Sequence, residues 1–249
     1  MKSLRNCLFR EFIFCCLFVL LCAPAALAAS ITIAGTGDSQ YLLRQLGNAF
    51  EQKNKNIQVL IPNSVGSGGG IQLLQAGRAE LARIARPLKP KEQAEGLHNR
   101  IFAYSPVVFV ANLPHDCLDG ITVQDFIGFL KGEINNWSYF SGCPNNKIYV
   151  ANREDGDSSK AVLESQIPEM KKISSPAGRT LYSTPEAYDT LNHYPYSFGY
   201  LPKSQIHQDN LTMLQFNGIE PSVENVQQKK YKLAVPLGIA WKSAPAGPT

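Results

Sequence analysis

Three times along this chain a short β-branched run gives way to a glycine- or serine-rich loop and then to apolar residues at helical spacing. That recurrence limits the fold more than any other feature. Ile31-Thr32-Ile33 leads into Gly35-Thr36-Gly37-Asp38-Ser39, after which Tyr41, Leu42, Leu43, Leu46, Ala49 and Phe50 follow a helical period. Residues 57–61 lead into Asn63-Ser64-Val65-Gly66-Ser67-Gly68-Gly69-Gly70 and then Ile71, Leu73, Leu74 and Ala76. Ile148-Tyr149-Val150-Ala151 leads into Asn152-Arg153-Glu154-Asp155-Gly156-Asp157-Ser158-Ser159 and then Ala161, Val162, Leu163 and Ile167. Residues 81–85 and 101–111 add continuous apolar runs, the second holding Val107-Val108-Phe109-Val110. Unbroken apolar strands separated by helices predict an α/β fold whose parallel or mixed sheet is covered on both faces.

The remaining elements fit that layout. A helix is predicted over 123–131, and Thr184-Pro185-Glu186 reads as a helix start with Thr184 as cap and Pro185 in the first turn. Tyr196-Ser197-Phe198-Gly199-Tyr200-Leu201 returns as a strand, and residues 231–241 are apolar-rich before a patternless tail.

The first residues carry an export pattern. Lys2, Arg5 and Arg10 precede or open an apolar stretch over 12–27 that Pro24 interrupts, and Ala26-Leu27-Ala28 supplies small-x-small cleavage chemistry. Residues 1–28 are expected to be removed as a signal peptide, leaving a protein that works in the periplasm or is secreted. A retained membrane anchor is the alternative, but the stretch is short for a hydrocarbon core of roughly 30 Å. Cys7, Cys15, Cys16 and Cys22 leave with the signal. Cys117 and Cys143 remain, and one disulfide is favoured over two free buried thiols because both lie in polar stretches containing proline or glycine. Of the formal charge of +4, Lys2, Arg5, Arg10 and Glu11 carry a net +2. What is left is too small to point to nucleic acid.

Each of the three loops opens onto a helix N-terminus, where unpaired amides and the helix dipole favour an anion. Read singly, each is an ordinary turn or cap; together they predict an oxyanion site. The glycine run lets backbone approach a ligand closely and Ser67 adds a hydroxyl. Arg153 offers a bidentate fork, and Ser158 and Ser159 offer hydroxyls and amides. No Gly-Lys-Ser/Thr follows the glycines, and no dinucleotide fingerprint is complete. His115, His193 and His207 are scattered without metal-ligand spacing and read as surface or loop residues. Ser67 sits directly after a glycine, one residue short of a nucleophile elbow, which leaves hydrolase chemistry a distant alternative. No catalytic residue, metal or cofactor is expected.

Several of these pieces, in this order, resemble the phosphate-binding proteins of bacterial ABC transporters, a branch of the type II periplasmic binding-protein fold. The carrying stretches are Gly66-Ser67-Gly68-Gly69-Gly70, Arg86-Pro87-Leu88-Lys89-Pro90, Arg153-Glu154-Asp155-Gly156-Asp157-Ser158-Ser159, Ser197-Phe198-Gly199-Tyr200, and Tyr231-Lys232-Leu233 leading to Pro236-Leu237. The resemblance implies two α/β lobes, 29–111 with 201–249 and 112–200, and hinge strands near Ala111-Asn112 and Tyr200-Leu201. It implies a monomer that holds inorganic phosphate or a similar oxyanion between the lobes for an ABC permease. Asp38, Ser39, Ser67, Gly68, Arg86, Arg153, Asp157, Ser158 and Ser159 are the ligand contacts it implies. Two departures are visible: Ala85-Arg86 stands where some members place an aspartate, and Asp157 enters a turn that is usually Ser/Thr-rich. A sensor or secreted accessory factor with weak or altered binding is the second reading.

Overall fold

The computed structural model describes residues 29–113, 117–207 and 211–242. The expected signal peptide, His115 and the tail lie outside them. In chain order the elements are β1 (Ala29–Gly35), α1 (Gln40–Lys53), β2 (Ile57–Leu60), α2 (Gly66–Gln75), β3 (Leu81–Ile84), α3 (Pro90–Ala94) and β4 (His98–Ala111). They continue with β5 (Gly120–Ile121), α4 (Val123–Lys131), β6 (Tyr149–Arg153), α5 (Ser158–Gln166), β7 (Arg179–Leu181) and α6 (Thr184–His193). The last are β8 (Ser197–Pro202), β9 (Thr212–Phe216), α7 (Val223–Gln227) and β10 (Ala234–Trp241).

The strands run in the order β2-β1-β3-β10-β4-β8-β6-β7, with β9 pairing both β4 and β5. β1 is parallel to β2 and β3, and β6 is parallel to β7 and β8, whereas β10 and β4 run against their neighbours. The mixed sheet expected from the apolar runs is therefore present. β4 joins its two halves: residues 98–106 pair with β10, and residues 107–111 pair with β8.

Val107 to Ala111 are all 0 % exposed, which follows from strands on both edges and packing on both faces. Phe109 packs at ring-centroid distances of 4.8 Å on Phe126 and 4.7 Å on Phe216, and Phe129 lies 4.5 Å from Phe198. Each such ring contributes about 1.5–3 kcal/mol by leaving water. Phe126 and Phe129 come from α4, whose start is fixed by a Thr122/Asp125 capping box and whose end is fixed by left-handed Gly132. Phe216, Tyr231 and Leu233 belong to this same cluster, so residues 212–233 pack with the middle of the chain, whereas β10 alone of the later strands pairs with β3. β9 continues the sheet beside residues 109–111.

Cys117 and Cys143 form the expected disulfide, with their Cα atoms 4.9 Å apart, and both flank the aromatic cluster. By chain-entropy reasoning a bridge over a loop of this size stabilises the fold by about 3.5 kcal/mol.

Candidate functional site

β1 ends at Gly35, whose φ of 139° is in a region that side chains rarely adopt, and a Cβ there would lie 2.1 Å from the Arg83 carbonyl oxygen. The chain then turns through Gly37, where a Cβ would meet Pro185 Cδ at 2.7 Å. Only glycine lets this loop lie against the start of α6. Asp38 follows, 1 % exposed. Its Oδ1 accepts a hydrogen bond from Thr184 Oγ1 at 2.7 Å, and its Oδ2 accepts one from Ser158 Oγ. One residue of the first loop thus ties together the N-termini of α5 and α6. Its main-chain carbonyl also accepts from Ser204 Oγ at 2.7 Å.

Arg153 closes β6 and is 2 % exposed. Its Nη2 pairs with Asp157 Oδ2 at 2.7 Å and reaches Thr184 Oγ1 at 3.5 Å, while Nε donates to the Leu181 carbonyl at 3.3 Å. Asn152 Oδ1 fixes the backbone here by accepting from the Arg153 amide at 2.8 Å and from Tyr200 Oη at 2.9 Å. Asp157 caps α5 by accepting from the Lys160 amide at 2.9 Å. Burial pushes the Asp157 carboxyl up to about 6, Arg153 opposes that shift and the neighbouring Asp38 adds to it.

Three buried polar atoms around this network have no partner among the described residues: Ser39 Oγ, Arg153 Nη1 and Ser159 Oγ. Ser39 and Ser159 are 0 % exposed. Ser39 is the N-cap of α1, where a serine hydroxyl ordinarily accepts a first-turn amide, yet it makes no such bond. Buried donors are almost always paired, so these three, on residues in or next to the Asp38–Arg153–Asp157 network, keep unused capacity for an acceptor. The loops that bring them together are the first and third of the three expected from the sequence.

A family model described as a PBP superfamily domain matches residues 23–249. The chain belongs to this superfamily. Phosphate-binding protein PstS of Borreliella burgdorferi is 25% identical over 213 residues, 82% of this chain and 75% of that one. A Clostridium perfringens protein assigned as a phosphate ABC transporter substrate-binding protein, crystallised with phosphate, has a similar fold: TM-score 0.72, 23% identity, 86% of both chains. An ABC-type phosphate transport receptor from Vibrio cholerae gives a TM-score of 0.60 at 26% identity over 87% of this chain and 88% of that one. The fold is the two-lobe type II binding-protein fold, with mixed sheet, flanking helices and a cleft between lobes.

Within this PBP-superfamily fold the expected contacts separate into two groups. Asp38, Ser39, Arg153, Asp157, Ser158 and Ser159 come together as described. Ser67, Gly68 and Arg86 do not join their hydrogen-bond network among the described residues. Arg86 is paired with Glu92 through two contacts of 2.7 and 2.9 Å, and this pairing holds the Glu92 carboxyl below the usual carboxylate range. The glycine run is not a loop before a helix at residue 71; it forms the first turns of α2, which begins at Gly66. Ser67 Oγ accepts from the Ala85 amide at 3.0 Å, linking α2 to the end of β3, and Gly68 is exposed.

Two participants were not singled out from the sequence as site residues. Thr184 was expected as a cap; Ser183 caps α6 instead, accepting from the Glu186 amide, which frees the Thr184 hydroxyl to donate to Asp38. Ser204, which holds the Asp38 carbonyl, lies just after β8 in a stretch with no signal pointing to it.

Proposed function

We propose that this chain is an exported solute-binding protein that captures inorganic phosphate, or a closely similar tetrahedral oxyanion, and presents it to an ABC permease. The observation that carries this reading is the set of unpaired buried donors on Ser39, Arg153 and Ser159, beside a carboxylate that already ties the first loop to α5 and α6. The names of the relatives, and the phosphate in the Clostridium neighbour, support the same ligand class. The basic, apolar and small-residue order of residues 1–28 supports export with cleavage after Ala28. On this reading binding involves no covalent step: donors replace water around the anion as the lobes close. From the strand pairing, we place the lobe division within β4, near residue 106, and before β10, so that 29–106 and 234–242 form one lobe and 107–233 the other.

One observation favours the second reading, of a sensor or accessory factor with weak binding. Two carboxylates, Asp38 and Asp157, already occupy the hydroxyls of Ser158 and Thr184, one Arg153 nitrogen and the Lys160 amide. Calorimetric titration of phosphate-stripped protein with phosphate and with sulfate separates the two. Phosphate binding in the wild type, reduced at least ~100-fold in Arg153→Ala, is expected for the transport reading, because a charged buried contact is removed. A folded wild type that takes up no phosphate refutes it.

A further inference from the structure

His207, a loop histidine by its sequence context, has both faces covered. Its ring stacks on Tyr41 with centroids 4.0 Å apart and planes 10° apart, and on Tyr188 with centroids 4.7 Å apart and planes 27° apart. One face of an imidazole cannot hold two rings at those distances, so the histidine is the middle layer of a three-ring stack. The outer rings belong to different lobes: Tyr41 stands in the first turn of α1, which packs on β2, and Tyr188 stands on α6, which packs on β8 and β6.

The position of the stack relative to the anion site is what gives it a role. Tyr41 is three residues after Asp38, and Tyr188 is one helical turn after Thr184. The Thr184–Asp38 hydrogen bond therefore forms an inner link between lobes, and the Tyr41–His207–Tyr188 stack forms an outer link, three residues on from Asp38 in the first turn of α1 and one turn along α6 from Thr184. His207 is itself held by its segment. Its Nδ1 lies 2.7 Å from the Gln205 carbonyl, Ser204 Oγ donates to the Asp38 carbonyl at 2.7 Å, and the Ser204 amide donates to Ser105 Oγ at 2.9 Å. A residue anchored to β4 and wedged between α1 and α6 resists their separation.

We propose that His207 is the central ring of an aromatic clasp that keeps the cleft shut and sets how long a bound anion stays. The inference rests on the proposed oxyanion site for its functional meaning, but the clasp itself is read from ring geometry. Losing both ring-on-ring contacts of His207 corresponds to release accelerated about 10-fold, and losing one to about 3-fold.

Stopped-flow release of phosphate from the loaded mature protein tests this with His207→Ala, His207→Phe and Tyr188→Ala. The expected result is about 10-fold faster release in His207→Ala and about 3-fold in Tyr188→Ala, an association rate within about twofold of wild type, and recovery toward wild type in His207→Phe. Unchanged release in His207→Ala overturns the proposal. So does a phenylalanine variant as fast as the alanine one, because the effect would then come from the Gln205 contact and not from stacking. Hydrogen exchange on the phosphate-free proteins supplies a readout that needs no ligand. Amides around Tyr41 and Tyr188 should exchange faster in His207→Ala and recover in His207→Phe, and equal exchange in all three overturns the clasp. If the wild type binds no phosphate, the proposed function fails while this exchange measurement still decides the clasp.

Discussion

Arg83 and Arg153 occupy corresponding places in the two lobes, near the ends of parallel strands β3 and β6, and they are 0 % and 2 % exposed. Their surroundings differ in one respect. Arg83 uses all three nitrogens on fixed acceptors of its own lobe: Nε on the Thr36 carbonyl at 2.6 Å, Nη2 on the Pro62 carbonyl at 2.7 Å and Gln40 Oε1 at 3.2 Å, and Nη1 on the Ile33 carbonyl. Burial lowers its pKa to about 10, which leaves it charged at neutral pH. Arg153 has one carboxylate, one carbonyl and a distant hydroxyl, and its Nη1 has no partner among the described residues. A buried guanidinium matched at every nitrogen is a strut that holds β1, the first loop and the end of β2 in place. One with a nitrogen unpaired among the described residues keeps a donor in reserve, which is what the proposed anion site would use.

The largest test of that contrast is Arg83→Met. It leaves three carbonyls and a glutamine oxygen without a donor in the interior, and the expected loss is ~3–5 kcal/mol in urea denaturation, enough to leave little folded protein. A variant with near-wild-type stability would erase the distinction between the two arginines. Ser39→Ala and Ser159→Ala sharpen it from the other side. Each should lose about 3- to 10-fold in phosphate affinity, the measure of one net hydrogen bond, while the melting temperature without phosphate stays level or rises slightly. The rise is expected because the deleted hydroxyls have no partner in the fold. A drop in stability with affinity unchanged would show that these serines are structural.

How much of this was legible in the sequence depended on whether the signal was local. The strand-loop-helix recurrence carried the α/β class, and the continuous run at 107–110 marked the central strand, because burial on both faces demands apolar residues at every position. The first and third loops were legible as turns at helix starts, since Asp38-Ser39 and Asp157-Ser158-Ser159 sit directly there. The second differs from the expected loop only in local structure: its glycines form the first turns of α2, and Ser67 accepts from the Ala85 amide. Arg86 had a charge and a plausible place, but Glu92, six residues on, takes its fork. Arg83 was hidden because a single charge inside Leu81-Ala82-Arg83-Ile84 does not disturb the strand pattern, and the acceptors it serves are 21 to 50 residues away. Thr184, Ser204 and His207 have partners far away in sequence, Asp38, Ser105 and Tyr41, which no local pattern announces.

The smallest expected effect bears on whether the Arg153–Asp157 pair is a fixed ion pair or an adjustable one. Asp157 has a folded pKa of about 6 against a reference of 3.8, because burial and Asp38 disfavour its charge more than Arg153 favours it. Below both values the group is protonated in either state and contributes nothing to the pH dependence. Between them the folded protein keeps a proton that the unfolded chain releases, so this group's contribution to stability falls as pH rises from about 4 to about 6, and it is level above that. Glu92, held below the usual range by Arg86, contributes with the opposite sign, which makes the wild-type curve alone ambiguous. The difference between wild type and Asp157→Asn isolates the term, since asparagine caps a helix as well as aspartate does. That difference should decline by on the order of 1 kcal/mol across the window in denaturant titrations at successive pH values. A difference that instead grows with pH would mean that Arg153 keeps Asp157 ionised throughout. The pair would then be a permanent strut like Arg83, and only Nη1 would remain for an incoming anion.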